Sequence, residues 1–243
     1  TRFSIYSRHL QEPPIQLSPD LIMTMWAAGI AAGAVPIARW RIVGAGFHWL
    51  TAGSAALMGI AALLFNVQPG TLIGLGFLGM AALLARRPAW TALALVAAAA
   101  AFLFSAISNG DALLAITGTL TLGAVTDEML LGHWYLIDPN LPRWALKTLD
   151  GVAVVALMAD AGILAARGAL TWESDAFVVG WAFVGLALMS LLLLVAVWFA
   201  LRERGYNGVM AATGLSYLAV LTVIGATISG RSLLGEGSSL LSG

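Results

Sequence analysis

The chain has 243 residues, of which 60% are hydrophobic and only 10% are charged, with 12 basic side chains, 12 acidic side chains and no cysteine. Soluble domains contain about 25% charged residues, so this much apolar surface requires lipid as its solvent. The lack of cysteine excludes disulfides, thiolate-bound iron–sulfur clusters and covalently attached c-type haem. The balanced charge, without a basic run, excludes the electrostatic footprint of a nucleic-acid-binding protein.

Residues 1–19 form a polar amino-terminal tail without the apolar core of a signal peptide, so we expect the first membrane helix to direct insertion. Apolar segments of roughly 17 to 25 residues follow, separated by charges, Pro, Gly and Asn, as is typical of transmembrane helices. The predicted segments are 20–38, 42–65, 70–85, 88–107, 111–137, 145–167, 175–201 and 206–229. The sequence therefore predicts an all-α integral membrane protein, a bundle of about eight transmembrane helices with short loops over residues 20–229, followed by a polar carboxy-terminal tail at 230–243.

The loops also predict the orientation, because Lys and Arg accumulate on the cytoplasmic side of a membrane protein. One side carries Arg39, Arg41, Arg86, Arg87, Arg143, Lys147, Arg202 and Arg204, and the other carries Arg2, Arg8, Arg167 and Arg231. Both termini are therefore predicted on the non-cytoplasmic side of a bacterial cytoplasmic membrane. The third segment is the shortest, and a failure of that segment to span would invert the orientation of the segments before it.

Two histidines lie just inside predicted helices, His48 in the sequence GFHWL and His133 in the sequence GHWYL. At about 1.5 Å rise per residue, they are roughly 9 Å and 6 Å inside the same membrane face. Imidazoles at matched depth on two helices can ligate a haem iron. The sequence therefore predicts at most one haem b, with its propionates neutralised by Arg39, Arg41 and Arg143. The alternative is that each histidine lies at the lipid interface and meets water or headgroups.

Acidic residues lie inside the fifth and sixth segments, at Asp127, Glu128, Asp150 and Asp160. A carboxylate at the centre of a membrane helix costs on the order of 2.5–3.5 kcal/mol, so such residues usually face protein or a water-filled cavity. Asp127, Glu128 and Asp160 are therefore predicted to act as a proton relay or an ion site. The alternative is that each carboxyl group only forms a hydrogen bond to Ser, Thr or backbone of a neighbouring helix.

The fifth segment has further polar residues, of which Thr119, Thr126 and His133 recur every seven positions and so share a helix face that we expect to look inward. The loop at 138–144 contains two prolines and should hold the fifth and sixth helices as an antiparallel hairpin. The surroundings of the two His-Trp pairs do not match, and the halves of the sequence reveal no repeat. An inverted-repeat transporter is therefore not indicated.

Three functional hypotheses follow. The first is a membrane-anchor subunit of a respiratory or related redox complex, which handles quinone and one haem b, moves protons through its carboxylates and serves an oxidoreductase complex without being its catalytic subunit. The second is a proton- or ion-coupled transporter component. The third is a structural or assembly subunit of a membrane complex without a cofactor. In all three, we expect the partners to be the lipid bilayer and other membrane subunits.

Overall fold

The computed structural model describes residues 18–108, 110–138, 140–169, 177–203 and 205–240, with side chains described as far as residue 234. Within these ranges the chain is helical throughout, with short connections and no strand. The helices are α1 (Pro19–Trp40), α2 (Ala45–Leu63), α3 (Pro69–Leu83), α4 (Pro88–Ser108), α5 (Ala112–Tyr135), α6 (Arg143–Ala166), α7 (Phe177–Ala200) and α8 (Tyr206–Leu240). The predicted all-α class and the eight helical segments are therefore confirmed.

Seven of these helices are long and apolar enough to cross a membrane, which indicates an integral membrane protein. The exception is α3, which has 15 residues. The last helix continues to Leu240, past its predicted end at residue 229, so part of the predicted carboxy-terminal tail is helical. Most of the predicted amino-terminal tail lies outside the described residues, and its last residue, Pro19, begins α1.

Although α3 is short, it reaches from one end of the bundle to the other. Just before α3 begins, the amides of Asn66 and Gln68 donate hydrogen bonds of 3.2 Å to Asp20 at the start of α1. Near the end of α3, the Ala82 carbonyl accepts a 2.9 Å hydrogen bond from the indole of Trp49, which lies near the start of α2. We call these two ends of the bundle the Asp20 end and the Trp40 end, after the first and last turns of α1.

The eight helices form two halves, α1–α4 and α5–α8, with the same order of packing. Within the first half α1 packs on α2, α2 on α3, α3 on α4, and α4 back on α1. Within the second half α5 packs on α6, α6 on α7, α7 on α8, and α8 back on α5. The two halves join mainly through α1 and α5. This repeat is not visible in the sequence, because helices pack by shape at their contacts and the rest of their surfaces are free to diverge.

The α1–α5 contact is closest where two glycines meet. A Cβ atom on Gly29 or Gly123 would overlap the backbone of the opposite helix, so only glycine fits at either position. Nearby, the Trp26 indole donates a 2.8 Å hydrogen bond to the Thr126 hydroxyl. Further along both helices, Gly33 lies against Asp127. Because residue numbers rise in the same direction on both helices, α1 and α5 are parallel, and so are the two halves.

Candidate functional site

The buried polar groups of the bundle form two sites of opposite character. Towards the Asp20 end, Asp160 of α6 and Arg231 of α8 form a buried ion pair, which we call the paired site. The guanidinium donates hydrogen bonds of 2.5 and 2.7 Å to the two carboxylate oxygens of Asp160. It also donates a 2.6 Å hydrogen bond to the Leu114 carbonyl, and the Thr117 hydroxyl donates at 2.5 Å to Asp160. Three helices, α5, α6 and α8, are therefore joined by one bidentate charge pair.

A small cavity adjoins the paired site. Its volume is about 20 Å³, and Asp111, Leu114 and Arg231 contribute to its lining. This is enough room for one water molecule. At the rim, Asp111 forms an ion pair with Arg167 and its side chain accepts a 3.1 Å hydrogen bond from the Leu114 amide, which caps α5. The paired site is thus supported by a second charge pair at the end of the bundle.

Asp127 has the opposite character. It lies on α5, is completely buried, and neither of its carboxyl oxygens has a hydrogen-bond partner among the described residues. The carboxyl group fits against α1 because residue 33 is glycine, and a Cβ atom there would overlap Oδ2 of Asp127. Asp127 therefore lies where the two halves of the bundle meet.

Two further buried carboxyl groups lie in the same half of the bundle as Asp127. Glu128 accepts a 3.3 Å hydrogen bond at Oε1 from Ser216 of α8, while its Oε2 has no partner among the described residues. Asp150 of α6 is buried and within electrostatic range of Glu128, and its Oδ1 is also unpartnered in the described part of the chain. We call Asp127, Glu128 and Asp150 the unpaired carboxyls. They lie about two turns inside the Trp40 end.

The two histidines have different surroundings. His48 is buried in the first turn of α2, and its Nδ1 has no partner among the described residues. His133 is exposed, and its Nδ1 lies 3.4 Å from the hydroxyl of Tyr217 on α8. The helices themselves do meet at this level, because the rings of Phe47 and Trp134 contact each other at 6.0 Å between centroids. It is Trp134, rather than His133, that faces α2.

The expectation that Thr119, Thr126 and His133 share an inward face is therefore wrong for His133. Thr119 and Thr126 are both buried, but His133 is exposed. A seven-residue spacing drifts by about 20° per repeat on a straight helix, so the third member has rotated away from the first. The expected hairpin is confirmed, because α5 and α6 pack against each other along their lengths.

The three arginines assigned to haem propionates differ in their surroundings. Arg143 starts α6 and donates hydrogen bonds to the carbonyls of Glu203 and Gly205, so it attaches α6 to the connection between α7 and α8. Arg39 and Arg41 are exposed at the end of α1. No group of three or more His, Asp and Glu side chains able to hold a metal ion occurs in the described part of the chain.

Arg231 is the main residue that the sequence reasoning missed. It was placed in a polar tail on the non-cytoplasmic side, whereas it lies within α8 and is buried. The signal was Asp160, because a carboxylate inside a bundle requires a cation and few cations lie at the same end of the bundle. The contacts of Gly33 with Asp127 and of Ser216 with Glu128 were also missed, although Gly29 and Gly33 form a small-xxx-small pair that indicates close helix packing.

The sequence matches no protein-family model, no curated protein matches it, and its fold matches no solved structure.

Proposed function

We propose that the protein is a proton-coupled membrane transport component with its proton site at Asp127. The observation that carries this proposal is a completely buried carboxyl group whose two oxygens both lack a hydrogen-bond partner among the described residues. A bare carboxylate in such surroundings is strongly disfavoured, so a proton or a cation must accompany the charge. The described residues offer no cluster of metal ligands around it, which favours the proton.

The repeat of helix packing supports a transport role. Many transporters consist of two structural repeats, and their substrate and ion sites lie at the interface between the repeats. Asp127 occupies that position here, between Gly33 of one half and the body of the other. Small movements of one half against the other would change the surroundings of Asp127, and hence the side from which it exchanges its proton.

Neighbouring groups can extend the path. Glu128 and Asp150 offer further exchangeable positions within the same half. Towards the Asp20 end, Thr119 has a buried hydroxyl without a partner in the described part of the chain. Asp160 contributes in a different way, because its pairing with Arg231 fixes α8 against α5 and α6. The relay therefore consists of Asp127, Glu128 and Asp150, with Asp160 as a positioning residue.

Proton flux into liposomes tests this proposal. The purified protein, with any subunits that co-purify, is reconstituted around a trapped pH-sensitive dye, and a membrane potential is imposed. We expect the wild type to acidify the lumen and Asp127→Asn to reduce the rate at least tenfold, with smaller reductions for Glu128→Gln and Asp150→Asn. Asp138→Asn, an exposed acid in the α5–α6 connection, is the matched control and should leave the rate unchanged. A wild-type rate equal to that of empty liposomes would contradict the proposal.

We propose further that α3 crosses the membrane, so that eight helices span a bacterial cytoplasmic membrane and the Trp40 end is cytoplasmic. The excess of Lys and Arg in the loops at that end supports this orientation. The chain has no cysteine, so single cysteines report the sides cleanly. Val67→Cys and Asn140→Cys, both at exposed positions, should be labelled by an impermeant maleimide from opposite sides of the membrane. Labelling of both cysteines from the same side would refute the proposal that α3 crosses the membrane.

A redox subunit with haem b and quinone is the second candidate, and the buried, unpartnered Nδ1 of His48 favours it. The measurement is a reduced-minus-oxidised visible spectrum of the purified protein. A b-type band that disappears in both His48→Ala and His133→Ala would establish the haem. If there is neither a band nor proton flux, the protein has a structural or assembly role in a larger membrane complex.

A further inference from the structure

A groove runs along the lipid-facing surface between the end of α1 and the start of α4, at the Trp40 end. It comprises two adjoining cavities of about 320 and 300 Å³, which share Arg39 and Ala89 in their linings. We call it the α1–α4 groove. Neither histidine and none of the buried carboxyl groups lines it. It is therefore separate from both sites described above.

The end of the groove nearest the aqueous phase is cationic. Arg39 lies in the last turn of α1, and Arg41 follows with a left-handed backbone conformation (φ 55°) that ends the helix. Both guanidinium groups are exposed, and neither has a hydrogen-bond or ion-pair partner among the described residues. The small side chains of Ala38 and Ala89 leave room between them. Two guanidinium groups beside such a space suit a phosphate group, which each can bind through paired N–H donors.

Below the arginines the groove is apolar. Val35 lies one helical turn before Arg39, and Leu93 and Val96 extend the same surface along α4. Leu93 and Val96 are 59% and 48% exposed, so they are available to an acyl chain. Trp90 is 56% exposed at the boundary between the two regions, where indole side chains of membrane proteins usually meet lipid headgroups.

We propose that the α1–α4 groove binds an anionic phospholipid. The phosphodiester lies between Arg39 and Arg41, and an acyl chain follows Val35, Leu93 and Val96 towards the centre of the bilayer. A zwitterionic lipid carries its own cation and brings no net charge to the two arginines, whereas an anionic lipid brings a net negative charge that offsets part of their positive charge. A soluble anion would leave the apolar part of the groove unused. The charge and the apolar surface together therefore select a lipid with a negatively charged headgroup.

Native mass spectrometry of the purified protein with added lipid tests the proposal. With dioleoyl phosphatidylglycerol and dioleoyl phosphatidylcholine as probes, we expect the wild type to retain the anionic lipid about tenfold better. Arg39→Gln/Arg41→Gln should reduce that preference about tenfold, since each arginine near an anionic headgroup contributes separately. The matched control is Arg86→Gln/Arg87→Gln, which removes two exposed arginines that do not line the groove. The control should change the preference less than twofold.

Several results would overturn the proposal. Equal retention of the two lipids by the wild type would show that no site selective for anionic lipid exists. Equal losses of the preference in the two double variants would show that surface charge alone attracts the lipid. Complete displacement by millimolar glycerol phosphate would indicate a site for a free anion. Loss of a haem band in Arg39→Gln/Arg41→Gln would indicate a propionate site.

A second readout does not depend on the folding of the double variant. Phosphatidylglycerol with brominated chains should quench part of the tryptophan fluorescence of the wild type, and Trp90→Phe should lower that quenching although other exposed tryptophans still contribute to it. Quenching that is unchanged in Trp90→Phe would contradict the placement of the lipid.

Discussion

The paired site and the unpaired carboxyls both involve α5 and α6, yet they differ in how their buried acidic groups are compensated. Asp160 accepts hydrogen bonds from the Arg231 guanidinium and the Thr117 hydroxyl, and the same guanidinium also donates to the Leu114 carbonyl. Asp127 has no donor among the described residues, and Glu128 has only Ser216. Both sites are almost completely buried, so exposure to water does not explain the difference.

This difference indicates a structural role for Asp160 and a role in proton exchange for the unpaired carboxyls. A carboxylate held by a bidentate arginine is satisfied in one protonation state and resists change. The neighbours of a carboxyl group without hydrogen-bond partners do not hold it in one protonation state. A group that takes up and releases a proton requires this freedom. The two sites can therefore be distinguished by what their removal does to stability and to flux.

The largest effect is expected for Arg231→Met, which leaves Asp160 buried without its cation. Breaking a buried pair from one side costs about 3–5 kcal/mol of stability. Thermal unfolding in detergent should therefore show a large decrease in Tm. The double variant Asp160→Leu/Arg231→Met removes both charges and should recover most of that loss, because apolar replacements of a whole pair are often neutral. A double variant as unstable as the single one would show that the pair is not the cause.

A smaller but still clear effect is expected for Gly33→Ala. The new methyl group must displace the carboxyl group of Asp127, which costs about 1–3 kcal/mol by overpacking. Proton flux should fall together with stability, because the group is moved away from its position between the two halves. Gly53→Ala, also in the first half but with open space around it, is the control and should be neutral in both measurements. Unchanged flux in Gly33→Ala would separate Asp127 from transport.

Ser216→Ala should have a modest effect. It removes the hydroxyl that donates to Glu128, and a hydrogen bond of this kind contributes about 1 kcal/mol. Ser232→Ala, whose hydroxyl bonds among the described residues only to the Ile228 carbonyl of its own helix, should change stability less. Equal shifts of Tm in the two variants would indicate that the contact with Glu128 contributes nothing.

The smallest change in stability is expected for Asp127→Asn. The substitution keeps the size of the side chain and removes no cation or donor, so we expect a change within about 0.5 kcal/mol, as for replacements that break no interaction. Flux, in contrast, should be lost. A large decrease in Tm for Asp127→Asn would mean that Asp127 has a structural partner and belongs with Asp160.

Hydropathy and helix-breaking residues were sufficient to predict the eight helices, with ends within a few residues for most of them, because lipid imposes length and composition on each helix separately. The buried carboxyls could also be identified, since acids in apolar segments are conspicuous. Apart from the α5–α6 hairpin, which helices touch was beyond the sequence. Arg231 illustrates this limit, because its segment, rich in Gly and Ser, resembles a tail until Asp160 of another helix is placed beside it.

His133 shows a second limit. The contact between Phe47 and Trp134 agrees with the prediction that the two His-Trp stretches lie at the same level of the bundle. The predicted direction of the His133 side chain was wrong, because adjacent residues on a helix differ by about 100°, so the orientation of a side chain follows from packing rather than from depth. The contact between the two halves was hidden for the same reason, since Gly29 and Gly123 are two among 27 glycines.

The Gly29–Gly123 contact has a consequence for how the chain is made. Of the seven long apolar helices, α5 has the largest buried share, and it carries both Asp127 and Glu128, so it is poorly suited to lipid on its own. In the finished bundle α1 packs against α2 and α4, and all three precede α5 in the chain, so we expect them to be in the membrane before α5 enters it. The glycines of α1 then present a surface that α5 can join, which would shelter Asp127 against Gly33 as α5 enters the bilayer. Because α1 precedes α5 in the chain, the packing partner of the second half is synthesised before the second half itself.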